Sequence, residues 1–311
     1  MRKIITLVAM LLISVAGVAK SPKVWKTLKS DANFFIVNDS GRNGYYYQKP
    51  IAELMGRMAE VISPDRIISL GDIHHFDGVQ SVHDPLWMTN YELIFSHPKL
   101  MVAWWPVMGN HEHRGDTQAV IDYSNISRRW VMEENFYTRV YKEDGTTVRL
   151  VVIDTTPLID SYRKSQNTYK NVNKSSVEEQ LEWLDATLTD AKEDWVIVLG
   201  HHPIYADTAK SKHERGDLQR RVDTILRKHE NVDFYICGHI HNFQHIRREG
   251  CNIDYVVNSA ASLSRNVNAV EGTVFCSPEA GFSVLAADKK SINLHMIDRK
   301  GRVLHTITRT K

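Results

Sequence analysis

Five short blocks of this chain carry side chains able to bind metal ions or move protons. They are Asn38-Asp39-Ser40-Gly41, Gly71-Asp72-Ile73-His74-His75, Gly109-Asn110-His111-Glu112-His113, Gly200-His201-His202-Pro203 and Gly238-His239-Ile240-His241. Nine of the 15 histidines lie in or directly beside them: His74, His75, His111, His113, His201, His202, His239, His241 and His245. Histidine is the common ligand for borderline metals and the usual acid or base near neutral pH. Asp, Asn and His together make a nitrogen–oxygen site suited to Fe, Mn or Zn and poor for Ca²⁺. A carboxylate from one block can bridge two ions about 3.5–4 Å apart. A lone His-x-His is often just a polar turn; five such blocks in order are not.

Each block follows a short apolar run. Phe34–Val37, Arg66–Leu70, Trp105–Met108, Trp195–Leu199 and Phe234–Cys237 read as strands, as does Leu150–Ile153. Continuous apolar runs suit strands buried on both faces. The carboxyl ends of parallel strands share one sheet edge, where open α/β folds bind ligands. Glycine ahead of the polar residues predicts sharp turns there. Helices fall between the strands. Ser175-Ser176-Val177-Glu178-Glu179 offers a capping box, and Val177, Leu181, Leu184 and Leu188 repeat at helical spacing. Val222, Ile225 and Leu226 mark another helix. The chain ends in short strands: Asp254–Val257, Phe282–Ala286, Ile292–Ile297 and Val303–Ile307. The class is α/β, with two stacked sheets and helices outside.

The blocks resemble the calcineurin-like metallophosphoesterases, and more closely the small, tartrate-resistant type of purple acid phosphatase. The pattern of that family is Asp-x-Gly, Gly-Asp-x-x-Tyr, Gly-Asn-His-Glu/Asp, a lone His, and Gly-His-x-His. Phe76–Gln80, Tyr123–Trp130, Cys237–Gln244 and the strand at Tyr255 add to the likeness, which covers roughly Asn33 to Asp288. The resemblance implies a four-layer α/β/β/α sandwich of two mixed sheets flanked by helices, with two metal ions at the tips. Asp39 and His241 would bind the first ion and Asp72 would bridge both. Asn110, His201 and His239 would bind the second. His111 would contact substrate and protonate or stabilise the leaving group, and Asn110 would also touch substrate. A hydroxide generated on the metals would attack the phosphorus of a phosphate monoester.

One position departs from the pattern. The family's Tyr, a phenolate ligand to ferric iron, is His75 here. We read His75 as the replacement ligand to the first ion; the competing reading is an outer histidine that only hydrogen-bonds. The ions would be Fe paired with Fe, Mn or Zn, without the purple colour. His202 is open to two roles, phosphate contact or packing. His113 and His245 read as rim or outer residues, His74 as pointing elsewhere, and Asp154 as structural. The polar segment Ser161–Lys174, with Arg163, Lys164, Lys170 and Lys174, either attracts anionic substrate or is simply solvated. The tripeptide Arg114-Gly115-Asp116 reads as chance.

The 311 residues carry 39 Lys+Arg against 37 Asp+Glu, a formal charge of +2, with 42% apolar residues. These values argue against disorder and against a basic nucleic-acid binder. Met1-Arg2-Lys3, the apolar run Ile4–Val18 and Gly17-Val18-Ala19 read as a signal peptide, residues 1–19, cleaved after Ala19. Residues 20–311 then form one metallophosphoesterase domain, secreted or periplasmic, monomeric, off the membrane, with formal charge zero. Of the three cysteines, Cys251 and Cys276 could pair, and Cys237 reads as a buried thiol. The expected substrate is a small phosphate ester or a phosphoprotein. A phosphodiesterase or nucleotidase on the same site, and a non-catalytic metal- or phosphate-binding protein, are the alternatives.

Overall fold

The computed structural model describes residues 23–173, 176–209 and 212–311. The expected leader, its cleavage point, Lys174 and Ser175 lie outside the described residues. In chain order the strands are β1 Ala32–Val37, β2 Arg66–Ser69, β3 Ala103–Pro106, β4 Tyr137–Glu143, β5 Thr146–Val152, β6 Trp195–Leu199, β7 Phe234–Cys237, β8 Phe243–Ile246, β9 Asp254–Val257, β10 Thr273–Ser277, β11 Gly281–Ala287, β12 Ser291–Asp298 and β13 Val303–Thr310. The helices are α1 Gln48–Ile62, α2 Thr117–Asp122, α3 Asp160–Lys164, α4 Val177–Asp190, α5 Lys212–Leu218 and α6 Thr224–Leu226.

The strands form two mixed sheets, ordered β13-β12-β11-β1-β2-β3 and β10-β8-β9-β7-β6-β5-β4. In the first, β1, β2 and β3 run parallel, and β11 closes against β1 antiparallel. In the second, β5, β6, β7 and β9 run parallel. The late strands β11–β13 thus return to the sheet that the chain began.

Alternation along β6 shows how the layers stack. Trp195, Ile197 and Leu199 join the core shared with the first sheet, while Val196 and Val198 join the core under α4 and α6. A period of two does this automatically in a strand covered on both sides. On the far side, Ile51, Leu54, Met55, Met58 and Ile62 of α1 cover the first sheet. The order is helix, sheet, sheet, helix. Among the described residues no helix is long and apolar enough to cross a membrane.

Ser176 caps α4 by accepting the Glu179 backbone N–H at 3.2 Å. The buried face of α4 differs from expectation by one residue. Leu181 is only partly covered. Gln180 is buried instead, because its amide pairs both backbone groups of Asp154, accepting from N at 2.7 Å and donating to O at 3.0 Å. No disulfide joins Cys251 to Cys276: all three cysteines are free, and Cys237 is buried.

Candidate metal centre

The carboxyl ends of β1, β2 and β3 meet those of β6 and β7 where the two sheets come together. Hydrogen bonds lock the meeting. The Asp39 Oδ2 atom accepts the His239 backbone N–H at 2.8 Å and the Asn38 amide at 2.6 Å. His201 Nδ1 donates to the Leu70 carbonyl at 2.7 Å, which fixes the tautomer and leaves Nε2 to face the centre.

The turns work differently from the glycine expectation. Of the five block glycines only Gly71 adopts a positive φ, +89°. The left-handed conformation falls on the functional residues themselves: Asp39 (φ 48°), Asp72 (φ 53°), His239 (φ 72°) and His241 (φ 60°). Such conformations cost about 1–3 kcal/mol each and persist where surrounding bonds over-determine them. The other block glycines serve close approach: a Cβ at Gly109 would lie 2.7 Å from Glu112 Oε2.

Asp72 Oδ2 is the point of convergence. His201 Nε2 lies 3.1 Å from it, His75 Nε2 3.6 Å and His111 Nε2 3.8 Å. Its other oxygen, Oδ1, accepts the His111 backbone N–H at 2.9 Å. On one side, Asp39, His75 and His241 bring ligand atoms within 4.8 Å of one another, and on the other Asp39, Asp72 and His201 do so. His111 joins Asp72 and His75 in a third such group, and His201, His202 and His239 form a fourth. The rings of His201 and His239 approach to 3.2 Å, Nε2 to Nδ1.

Three features fit these groups to cations. Asp39 Oδ1 lies 3.1 Å from His241 Nε2 yet accepts no hydrogen bond. Asn110 Oδ1 is buried without a partner among the described residues. Buried acceptors left unpaired cost free energy that a cation removes. Burial alone would raise the Asp72 carboxyl, but the His201 and His111 rings outweigh it and hold it well below the usual range. Burial would lower His201, and Asp72 with Asp39 outweighs that in turn, pushing it up to about 9. The paired carboxylates therefore call for positive charge at this point. Burial pushes His75 down to about 3, so its ring is neutral and its lone pair available.

Several positioning residues escaped sequence reasoning. Glu112 is buried and accepts four backbone N–H groups, from Asp72 (2.8 Å), Ile73 (2.9 Å), His74 (3.3 Å) and Gly109 (2.8 Å). It ties the second block to the third. Glu214 of α5 lies 3.4 Å from His239 Nε2 through one oxygen and accepts from Tyr162 OH at 3.1 Å through the other. His202 completes that chain. Its Nδ1 meets Thr155 Oγ1 at 2.8 Å and its Nε2 meets Tyr162 OH at 3.1 Å. Both nitrogens are thus engaged in hydrogen bonds, the arrangement of the packing role that the sequence left open.

The remaining block histidines take the following places. His113 and His245 are buried, in the outer of the two places that the sequence left open. His113 Nε2 bonds Asp154 at 2.8 Å, and His245 Nε2 bonds Asp254 at 2.8 Å. His74 does point away, its ring edge-on to Trp87 at 4.4 Å. The described part of 161–174 packs beside the third block: Arg114 Nη2 reaches Tyr169 OH at 3.2 Å, and Asn171 donates to the Gly115 carbonyl at 2.5 Å. Asp116 caps α2 through Gln118 N at 3.0 Å, so Arg114-Gly115-Asp116 is held by structure.

The family model of the calcineurin-like phosphoesterases matches residues 32–243, a span that contains every residue of these groups. The chain belongs to that family. Membership places it among the hydrolases of phosphoric ester bonds. It is 31% identical to purple acid phosphatase 3 of Arabidopsis thaliana over 88% of this chain and 76% of that one. It is 34% identical to tartrate-resistant acid phosphatase type 5 of Oryctolagus cuniculus over 68% of this chain and 66% of that one. Among solved structures, GAP50, the anchor in the inner membrane complex of Plasmodium, superposes with a TM-score of 0.76 at 22% identity, covering 91% and 89% of the two chains. A dimetal phosphatase from Danio rerio gives 0.59 at 15% identity, covering 91% and 99%. At these identities the two structures speak for the fold alone. This calcineurin-like phosphoesterase carries His75 in two of its candidate ligand groups, beside Asp39 and His241 and beside Asp72 and His111.

Proposed function

We propose that the chain is a binuclear-metal phosphomonoesterase. The supporting observation is the convergence of His75, His111 and His201 nitrogens on one oxygen of Asp72, flanked by the unpaired acceptors Asp39 Oδ1 and Asn110 Oδ1. Asp39, His75 and His241 would hold the first ion, Asn110, His201 and His239 the second, with Asp72 between them. The nitrogen–oxygen donor set suits Fe with Fe, Mn or Zn. When bound, the ions neutralise phosphate charge and acidify water enough to make it a nucleophile near neutral pH.

The chain's own residues then orient and move protons. The Phe76 carbonyl lies 2.5 Å from His111 Nδ1, so Nδ1–H donates there and Nε2 faces the centre. That nitrogen is the atom that would hold a proton for the leaving oxygen. The Asn110 amide would orient the phosphate. Glu112 keeps the Asp72 turn rigid, which is where positioning and electrostatics act. The apolar run Ile4–Val18 before small residues supports an exported enzyme acting on small phosphate esters or phosphoproteins.

The test is turnover of p-nitrophenyl phosphate against bis-p-nitrophenyl phosphate with Fe, Mn and Zn supplied. Faster monoester hydrolysis is expected. Faster diester hydrolysis would make the chain a diesterase, and no turnover with any metal would make it a binding protein.

A further inference from the structure

Beside the metal centre lies a cavity of about 480 Å³, lined by Arg42, Tyr45, Tyr46, His75 and Phe76 together with neighbouring backbone. His75 belongs both to this cavity and to the ligand groups, so one side chain borders both spaces. The lining is unusual in chemistry. Tyr45, Tyr46 and Phe76 are 72%, 64% and 63% exposed. Large aromatic rings held in water beside a functional site mark a binding surface. Arg42 is 8% exposed, its guanidinium lies 4.9 Å over the Phe76 ring, and its Nε has no hydrogen-bond partner among the described residues. The guanidinium makes no direct ion pair among the described residues; Asp39 and Asp72 act on it from a distance, so it can still pair with an anion at the cavity mouth. The size suits a small molecule.

Resting on the phosphomonoesterase reading, we propose that this cavity is the leaving-group subsite and selects phosphate monoesters of planar aromatic alcohols. The ring packs against Phe76 and Tyr46, and Arg42 pairs with the ester's negative charge at the mouth. In the reaction, a water oxygen bonds to phosphorus and releases a proton to solvent, the bond from phosphorus to the aryl oxygen breaks, and that oxygen takes a proton from His111, which regains one from solvent. The products are the phenol and inorganic phosphate. An aliphatic ester uses the metal centre and Arg42 but leaves the aromatic walls wet.

The test compares 2-naphthyl phosphate with phenyl phosphate, whose leaving groups are alike in acidity and differ in ring area. The metal-loaded protein is assayed for kcat/KM on both esters. Binding of 2-naphthylphosphonate and phenylphosphonate, which cannot be hydrolysed, is measured by calorimetry. The wild type is expected to favour the naphthyl compound by about two- to tenfold in both assays. Phe76→Ala and Tyr46→Ala, at exposed positions, should each bring the ratio towards one. Retention of the wild-type ratio in both variants, or no preference in the wild type, overturns the subsite. If neither ester turned over while the phosphonates still discriminated, the phosphatase reading would fall and the subsite would stand.

Discussion

His75 Nε2 lies 3.6 Å from Asp72 Oδ2, and its ring centroid lies 4.1 Å from that of His111. The other ring nitrogen, Nδ1, is buried and bonds to nothing among the described residues. What separates the ligand role from that of an outer histidine is grouping: His75 brings a ring nitrogen within 4.8 Å of ligand atoms of Asp39 and His241, and of Asp72 and His111. The arrangement fits a ligand. His75→Ala is therefore expected to lower metal content at one of two ions, read by elemental analysis. His75→Tyr restores the family's phenolate and, loaded with ferric iron, should gain a visible absorption band that the wild type lacks. Undiminished metal in the alanine variant would return His75 to the outer role.

His111 differs from the ligands in having its Nδ1 anchored by the Phe76 carbonyl. His111→Ala is expected to lower kcat on p-nitrophenyl phosphate by about 10²–10⁴-fold, the range of a lost acid or base, with metal content retained. Equal loss of metal and activity would make it a ligand, as its grouping with Asp72 and His75 also allows.

Glu112 offers a third test. Its two oxygens take four backbone donors. Glu112→Gln places an amide N–H₂ against two of them. Each donor left unpaired costs about 1–3 kcal/mol. Denaturant unfolding should show that loss, accompanied by weaker metal retention because the Asp72 turn loosens. An unchanged midpoint would deny Glu112 its positioning role.

A pH dependence arises away from the centre. Asp254 is fully buried; burial alone would raise its carboxyl, but His245, Arg247 and Arg309 outweigh that and hold it well below the usual range. A depressed carboxyl contributes stability that is fully present above its unfolded value, about 3.9, and is lost as pH falls through the folded value. Tm should therefore fall progressively below about pH 4, and the Tm gap between wild type and Asp254→Asn should narrow over the same window. A gap independent of pH would show that Asp254 contributes by shape alone.

The five tips were legible because parallel strands covered on both faces must be apolar throughout, so a polar block after such a run stands out. The same logic hides other parts. Strand β4, Tyr137–Glu143, lies at a sheet edge and buries only Tyr137 and Tyr141, so it offers no apolar run to read. Helix α1 follows three tyrosines and carries Pro50 in its first turn, where proline is tolerated, so its start gives no clear signal. His113 and His245 stay open between rim and outer places in the sequence because their partners, Asp154 and Asp254, sit 41 and 9 residues away. Glu112 falls inside the third block, but its role as an acceptor, like the role of Arg42, carries no spacing signal. Their roles depend on where the backbone N–H groups of β2's turn and the ring of Phe76 fall in space.

The most direct measurement is phosphatase activity against metal bound per chain, titrating metal-stripped protein and reading both by elemental analysis and p-nitrophenyl phosphate turnover. Two ions per chain with activity rising to a plateau at the second is the predicted result. A plateau at one ion, or full activity with none, would contradict a binuclear centre.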